Sequence, residues 1–319
     1  MKRLMMLLSV LALLTTVMAQ SLQMLAGIEK NAKKGDAQAM RMLAFAYEEG
    51  KSLSQDYDLA KQWYEKAADK GDALAMYRLG LMYYDGRPTV DFKQAQVWLT
   101  RALDNGYSAA RGTLYDLGVK FKVWAYLSEG DESVRYFQDA MVCLRTVAQT
   151  GDGLAMYLVG HMYAKGQGVP PDGNMAMEWF RKAVYNTADD AYRGKSISMV
   201  GIGDLYRTGA DGISQDYAKA AEWYRQAANM GNLRAAGHLG ILLYDGKGME
   251  QDRVKAFEML TKAASSEAPL ADALHYLSRC YRFGHGTVQD LRQADYWEKK
   301  AQETGSDEAK VLQHIISGN

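Results

Sequence analysis

Apolar residues recur along most of this 319-residue chain at intervals of three and four positions. After Gly71, for example, Met76, Leu79, Gly80 and Tyr83 stand at positions i, i+3, i+4 and i+7. Residues with this spacing lie on one face of an α-helix, so the stretch is predicted to be an amphipathic helix. The same face occurs in six clear copies, whose first apolar positions are Met40, Met76, Met156, Met199, Ala236 and Leu274.

A glycine follows each of these faces, and an aspartate comes a few residues later. Glycine readily adopts the left-handed conformation that ends a helix, so this residue is expected to be a C-cap. The aspartate side chain accepts free backbone N–H groups, so it is expected to begin a second helix. Each unit of about 36 residues is therefore predicted to be a helical hairpin that is stable only when stacked on its neighbours.

Two stretches show the unit most fully. Residues 71–87 read GDALAMYRLGLMYYDGR and contain the first helix with its turn, and residues 216–228 read DYAKAAEWYRQAA and contain the second helix. In these residues the chain resembles the Sel-one-like repeat (SLR) family, whose members are similar to tetratricopeptide repeats. The resemblance implies an all-α fold, a right-handed α-solenoid of stacked helix-turn-helix repeats with about seven units, of which the third is atypical.

Two insertions interrupt the repeat. Residues 119–134 lengthen the third unit, and residues 185–194 lengthen the fourth. Each insertion is expected either to extend the helices of its hairpin or to bulge from the solenoid.

The N-terminus has the pattern of a secretory signal peptide. Two basic residues precede the apolar run 4–14, and small or apolar residues end at Ala19. This order is typical of a signal peptide over residues 1–19 that is cut before Gln20. A membrane anchor is the alternative, but the run is short for a segment that spans a bilayer. We therefore expect a periplasmic or secreted protein.

The remaining chain is predicted to have three parts: residues 20–34 as an N-terminal capping helix, 35–305 as the solenoid and 306–319 as a C-terminal capping helix. Basic and acidic residues number 38 each, so the formal net charge is zero. A neutral chain has no overall attraction for nucleic acid or for an anionic membrane. We expect neither a nucleic-acid partner nor membrane insertion of the mature chain, and we expect a monomer.

Candidate chemistry in the sequence is sparse. Cys143 and Cys280 take apolar positions of the repeat, and both are expected to be buried free thiols because they lie too far apart for a disulfide. The five histidines lack the spacing of a metal site. Paired glycines after the first helices are expected to be turns and not phosphate loops. The sequence predicts no catalytic residue, no metal and no cofactor, and we expect a protein that is not an enzyme.

Tetratricopeptide-like stacks place their first helices on a concave side, and the resemblance puts the remaining positions of these helices there. Tyrosine and arginine are common at the energetic centres of protein interfaces. The alternative is that these side chains pack against neighbouring units or the long third unit. The predicted partner-binding residues are Phe45, Leu74, Tyr77, Leu81, Tyr84, Tyr157, His161, Arg207, Tyr244, Arg279 and Arg282.

These patterns favour a secreted or periplasmic, non-enzymatic scaffold that binds a protein or peptide through a concave aromatic groove. One alternative is binding or hydrolysis of β-lactams or peptidoglycan fragments. Cysteine-rich members of the family imply it, but this chain lacks their cysteine pairs. A second alternative is an immunity protein against a secreted toxin.

Overall fold

The computed structural model describes residues 19–185 and 192–304, and the predicted all-α solenoid of about seven units is confirmed. Within these ranges a helix over residues 19–33 (α1) precedes seven helical hairpins. The hairpins pair α2 (Ala37–Glu49) with α3 (Tyr57–Asp69), α4 (Ala73–Asp85) with α5 (Phe92–Asp104), α6 (Ala110–Leu127) with α7 (Gly130–Gln149), α8 (Gly153–Lys165) with α9 (Gly173–Tyr185), α10 (Tyr192–Thr208) with α11 (Tyr217–Asn229), α12 (Leu233–Asp245) with α13 (Arg253–Ala264), and α14 (Ala271–Phe283) with α15 (Leu291–Thr304).

The chain divides into two compact units, each larger than one repeat. They are here called the first unit, which ends at Leu117, and the second unit, which begins at Gly118. The core of the first unit includes Leu43, Tyr64 and Leu79, which come from its first and second helices. The core of the second unit is larger, and its fully or nearly fully buried members include Phe180, Ile202, Tyr224, Leu260 and Leu277. Each core is a continuous layer between helices of successive hairpins, as stacking of amphipathic helices requires.

Helix ends follow the predicted capping chemistry. Gly50, Gly86 and Gly246 end α2, α4 and α12 in the left-handed region, with φ of 68°, 76° and 70°. The side chains of Asp56 and Asp252 accept backbone N–H groups in the first turns of α3 and α13. These contacts satisfy donors and acceptors that a helix end otherwise leaves without partners.

Within a hairpin, the two helices approach most closely where a first-helix glycine meets a large second-helix side chain. A Cβ atom added at Gly203 would lie 2.5 Å from the Tyr224 ring, and one at Gly160 would lie 2.7 Å from the Phe180 ring. Gly80 and Gly240 face Leu99 and Leu260 in the same way, at 2.8 Å. Any side chain at these positions would push the helices apart.

The predicted insertion in the third repeat extends both helices of that hairpin. Helices α6 and α7 have 18 and 20 residues, compared with 13 in most of the others. Buried apolar side chains continue along α6 at helical spacing, which explains why the extra residues remain helical. These are Leu114, Leu117, Phe121 and Ala125.

Other predictions concern the cysteines and segments that lie outside the described residues. Cys143 and Cys280 are buried free thiols, as their positions in the repeat predicted. In the fourth repeat, α9 ends at Tyr185, and the next helix, α10, begins at Tyr192. Most of the predicted insertion, residues 185–194, therefore lies outside the described residues. The predicted C-terminal capping helix, 306–319, also lies outside them, as does nearly all of the predicted signal peptide.

Substitution of Gly203 by alanine tests the close helix approach. The new Cβ would collide with the rigid Tyr224 ring, so we expect the free energy of unfolding to fall by about 1–3 kcal/mol. Urea denaturation followed by circular dichroism measures this change.

The matched control is Gly112→Ala in α6, where nothing lies within 4 Å of the added Cβ. We expect the control to be neutral or more stable by roughly 0.5–1 kcal/mol. Equal effects of both substitutions would contradict the packing role.

Candidate functional site

Four predicted residues of the first unit form a stripe along α4. Leu74, Tyr77, Leu81 and Tyr84, here called the α4 stripe, are all partly exposed and follow one face of the helix. The Tyr77 ring packs on Tyr107 with centroids 4.9 Å apart. Tyr84 meets Phe92 edge to face at 5.7 Å. The stripe therefore keeps aromatic surface available, although part of each tyrosine ring is used within the unit.

Phe45, on α2, is the most open aromatic of the predicted set in this unit, with 40% of its surface exposed. The guanidinium of Arg78 lies 5.0 Å from the centroid of its ring. Arginine over an aromatic face is a favourable arrangement that also holds the ring in place.

The second unit contains a cavity of about 450 Å³ on the side of its first helices, here called the second-unit groove. Of the predicted residues, Tyr157, His161 and Arg207 line it. Cavities of about 300–1,000 Å³ are the usual size of ligand sites. The aromatic lining side chains are Tyr126, Tyr157, His161 and Phe180, and the charged ones are Lys122, Lys165, Asp204, Arg207, Arg234 and Asp272.

The apolar wall of the groove depends on Phe180, a second-helix residue. Its ring stacks on Tyr157 with centroids 5.8 Å apart and an interplanar angle of 29°. Gly201 of α10 also lies against this ring, since an added Cβ would be 2.7 Å from it. The glycine gives the ring room, and Val200 and Leu270 continue the apolar lining.

Asp204, at the wall of the groove, belongs to a hydrogen-bonded network. The hydroxyl of Tyr224 donates to its Oδ1 at 2.7 Å, and Arg207 Nε donates to the Tyr224 hydroxyl at 3.2 Å. Arg207 Nε also lies 3.5 Å from Asp204 Oδ1. The network holds Arg207 against the groove wall and balances the charge of the carboxylate.

A similar network occurs in the first unit. Glu48 is buried. Its carboxylate accepts one hydrogen bond from the Tyr64 hydroxyl at 2.6 Å and another from Arg87 Nη1 at 2.8 Å. Sequence reasoning did not identify these networks. The sequence does contain a signal for them, which is a polar hydroxyl at a buried position of the repeat. Tyr64 and Tyr224 take the position at which Leu99, Phe180 and Leu260 stand in other hairpins.

Two histidines lie at or beside the groove: His161 is partly exposed and His238 is buried. Burial lowers the pKa of His161 well below its ordinary value, and the positive charges of Lys122, Lys165 and Arg234 lower it further. His238 stacks on Tyr224 with centroids 4.9 Å apart. Burial lowers the pKa of His238 to about 4, even though the nearby Asp204 carboxylate opposes that shift. Both imidazoles are neutral at neutral pH.

The structure places Tyr244, Arg279 and Arg282 differently from the predicted open groove. Tyr244 is only 3% exposed, and its hydroxyl lies 2.6 Å from His285 Nδ1. Arg279 lies over the Tyr244 ring at 5.0 Å. Arg282 Nη2 donates to Asp295 Oδ1 at 2.8 Å. Tyr244 and Arg279 contact each other across neighbouring hairpins, which was the alternative considered for the whole set, and Arg282 contacts the second helix of its own hairpin.

Six segments of the chain match the Sel1 repeat: residues 37–72, 73–107, 153–186, 196–232, 233–267 and 271–301. Together they cover well over half of the sequence. The chain belongs to the Sel1 repeat family. The elongated hairpin of α6 and α7 falls between the second and third matches. Among the described residues, no helix combines the length and the apolar character needed to cross a bilayer.

Two solved structures agree with this assignment, and a curated relative is similar over part of the chain. A protective antigen of uropathogenic Escherichia coli with an SLR fold is 27% identical, with a TM-score of 0.52 over 92% of this chain and 60% of the antigen. A Sel1 repeat protein from Oxalobacter formigenes is 26% identical, with a TM-score of 0.52 over 91% of this chain and 79% of that protein. The ERAD-associated E3 ubiquitin-protein ligase component HRD3B of Arabidopsis thaliana is 33% identical over 108 residues, which are 33% of this chain and 15% of the relative.

The buried His238 predicts a pH dependence of stability. The unfolded chain takes up a proton at this histidine near pH 6.5, whereas the folded protein does so only near pH 4. The folded state therefore loses stability as the pH falls through this range, by at most about 1.4 kcal/mol per pH unit for one proton. In His238→Phe we expect a smaller loss of unfolding free energy between pH 6.5 and pH 4 than in the unmodified protein.

Urea denaturation at several pH values between these limits measures the difference. The matched control is His275→Phe, because His275 is exposed. An unchanged pH dependence in His238→Phe would show that this imidazole is not the buried neutral group described above.

Proposed function

We propose that this Sel1 repeat protein is a non-enzymatic scaffold outside the cytoplasm, and that its second unit binds a segment of a protein partner in the second-unit groove. Sel1 repeat proteins are protein-interaction scaffolds, which is the general function that the family supplies. The observation that carries the finer proposal is the groove itself. First helices of successive hairpins line it, and Tyr157 and Arg207 present side chains there.

The arrangement of the groove suits an extended segment. Tyr126, His161, Val200 and Arg234 come from α6, α8, α10 and α12 in that order, so successive hairpins each supply lining residues. A peptide that crosses these helices would meet a new side chain at each repeat. Tyrosine and arginine are enriched among the residues that contribute most of the binding energy at protein interfaces.

The relative from Arabidopsis supports the scaffold proposal by its name, which describes a component of a ubiquitin-ligase complex. The match spans 15% of that relative, so its complex is not carried over to this chain. In the first unit, Phe45 and the α4 stripe are a second surface with the same aromatic character. We include them as a further contact surface for a protein partner.

Photocrosslinking tests the groove. We expect a photoreactive phenylalanine analogue at position 157 to give adducts with one specific envelope protein, because Tyr157 lines the groove. The same analogue at position 296 of α15 is the control, since Tyr296 is 49% exposed and belongs to a second helix. With the purified partner, Tyr157→Ala should weaken binding about tenfold or more.

Each of three results would contradict part of the proposal. Equal adducts from positions 157 and 296 would show that capture is not confined to the groove. A folded Tyr157→Ala variant with unchanged affinity would remove Tyr157 from the binding surface. Turnover of a chromogenic β-lactam by the purified protein would contradict the non-enzymatic part and favour the alternative taken from cysteine-rich relatives.

The location of the protein has its own test. We expect the full chain, expressed in a Gram-negative host, to be recovered from the periplasm with a mass that begins at Gln20. Ala19→Tyr places a bulky side chain where the peptidase requires a small one, so this variant should remain uncut. Recovery of the unmodified chain with its first nineteen residues intact would contradict the proposed export and cleavage.

A further inference from the structure

We propose that four residues around the turn after α14 form a binding site for a phosphate group. They are Tyr244 near the end of α12, Arg253 at the start of α13, Arg279 on α14 and His285 in the turn, here called the Tyr244 cluster. None of the four lines the second-unit groove. A phosphate can therefore bind there whether or not a partner segment occupies the groove.

Three side chains surround the ring of Tyr244. The guanidinium carbon of Arg279 lies 5.0 Å from the centroid of this ring, and that of Arg253 lies 5.8 Å from it. The centroid of the His285 ring lies 5.5 Å from the same point. Tyr244 is buried, whereas Arg253 is exposed and Arg279 and His285 are partly exposed. The buried ring thus brings together three side chains that a ligand can reach.

The two arginines keep their hydrogen-bond donors available. In the part of the chain that the structure describes, neither guanidinium has an ion-pair or hydrogen-bond partner, and both lie over tyrosine rings. A guanidinium is planar and its N–H groups point outward in that plane, so contact with a ring face supplies no oxygen acceptor for them. An oxyanion would supply these acceptors.

The carboxylate of Asp245, whose charge acts on Tyr244, is already used by other residues. Its Oδ2 accepts a hydrogen bond from the Tyr276 hydroxyl at 2.9 Å and pairs with Lys247 Nζ at 3.1 Å. The positive charges of Arg253 and Arg279 are therefore not balanced by this carboxylate.

Tyr244 determines which nitrogen of His285 carries a proton. Its hydroxyl lies 2.6 Å from His285 Nδ1 and has no other hydrogen-bond partner among the described residues. A buried hydroxyl that donated nowhere would lose a hydrogen bond, so this one donates to Nδ1. A neutral imidazole that accepts at Nδ1 carries its proton on Nε2. The cluster therefore has an N–H donor on His285 in addition to the two guanidinium groups.

Two titratable neighbours indicate a positive potential at the cluster. Partial burial lowers the pKa of His285, and the charges of Arg253 and Arg279 lower it further, so this imidazole is neutral at neutral pH. Burial raises the pKa of the Cys280 thiol to about 11, and the same two charges oppose that rise. A potential that disfavours a proton on His285 favours an anion beside it.

A phosphate group matches these donors in charge and in number of acceptors. A phosphate monoester carries nearly two negative charges at neutral pH and has three strong acceptor oxygens. Arginine binds phosphate through paired N–H groups, and two arginines balance a dianion. A single carboxylate would balance only one of the two arginine charges.

The phosphate can be free or part of an ester, and Phe283 favours the ester. Its ring is 58% exposed, and its centroid lies 5.6 Å from that of His285. An apolar group attached to the phosphate would therefore have apolar surface to cover beside the cluster.

Nuclear magnetic resonance of the full protein with isotope-labelled histidine tests the site. His285→Gln identifies the signals of this residue, and in the free protein we expect its proton on Nε2. Inorganic phosphate, phenyl phosphate and benzoate are added at constant ionic strength and about pH 7.5, where the phosphates are mostly dianions. We expect the His285 signals to shift to saturation with both phosphates, at lower concentrations of phenyl phosphate, and not with benzoate over the same range.

The double variant Arg253→Gln with Arg279→Gln should bind phenyl phosphate about tenfold or more weakly, because charge-assisted hydrogen bonds are lost. The matched control is Arg225→Gln with Arg292→Gln, two exposed arginines outside the cluster that give the same change in net charge. Circular dichroism checks that both variants are folded.

The conservative variant Tyr244→Phe keeps the ring for the arginines and removes only the hydroxyl. We expect the proton of His285 to divide between its two nitrogens in this variant, and phenyl phosphate to bind more weakly.

Equal weakening by the two double variants would show a general attraction of anions to the protein and would overturn the site. Saturation by benzoate over the same range, no saturable shift with either phosphate, or a free protein with the proton on Nδ1 would also overturn it. Equal affinity for the two phosphates would support a site for inorganic phosphate without a contribution from Phe283. Crosslinking at position 157 is unaffected by any of these outcomes, so failure of this site leaves the scaffold proposal in place.

Discussion

The fold depends on one contact that the chain repeats: a glycine of the first helix fits against a large side chain of the second helix. Gly80 with Leu99, Gly160 with Phe180 and Gly203 with Tyr224 are examples. Because the helices meet there without an intervening side chain, the apolar faces of both helices can be buried between hairpins. This packing determines which side of each first helix remains available for a partner.

The second unit shows how packing and binding surface are connected. Phe180 lies against Gly160 and Gly201 in the core, and its ring also stacks on Tyr157 at the groove wall. Tyr224 lies against Gly203, and its hydroxyl holds Asp204, which in turn lies beside Arg207. Two core side chains thus set the positions of the groove residues. A partner would contact a surface that is ordered before it binds, which lowers the entropic cost of association.

Repeat periodicity was sufficient to predict the helices, their caps and the buried face, because these depend on spacing and on local backbone chemistry. Tyr84 and Tyr244 take the same position in their repeats, yet Tyr84 is partly exposed and Tyr244 is buried beside His285 and Arg279. The difference comes from residues of the next hairpin, which a single repeat does not contain. The groove likewise depends on Phe180 and on Leu270, a residue of the turn before α14. Only tertiary packing brings them together.

The central claim is that α8 has one face for packing and a separate face for a partner. A paired alanine scan along α8 measures it most directly, with unfolding free energy and partner affinity determined for the same variants. The account predicts that Met156→Ala and Val159→Ala lower stability and that Tyr157→Ala lowers affinity much more than it lowers stability. Losses of stability and affinity that rise together at all three positions would contradict the claim.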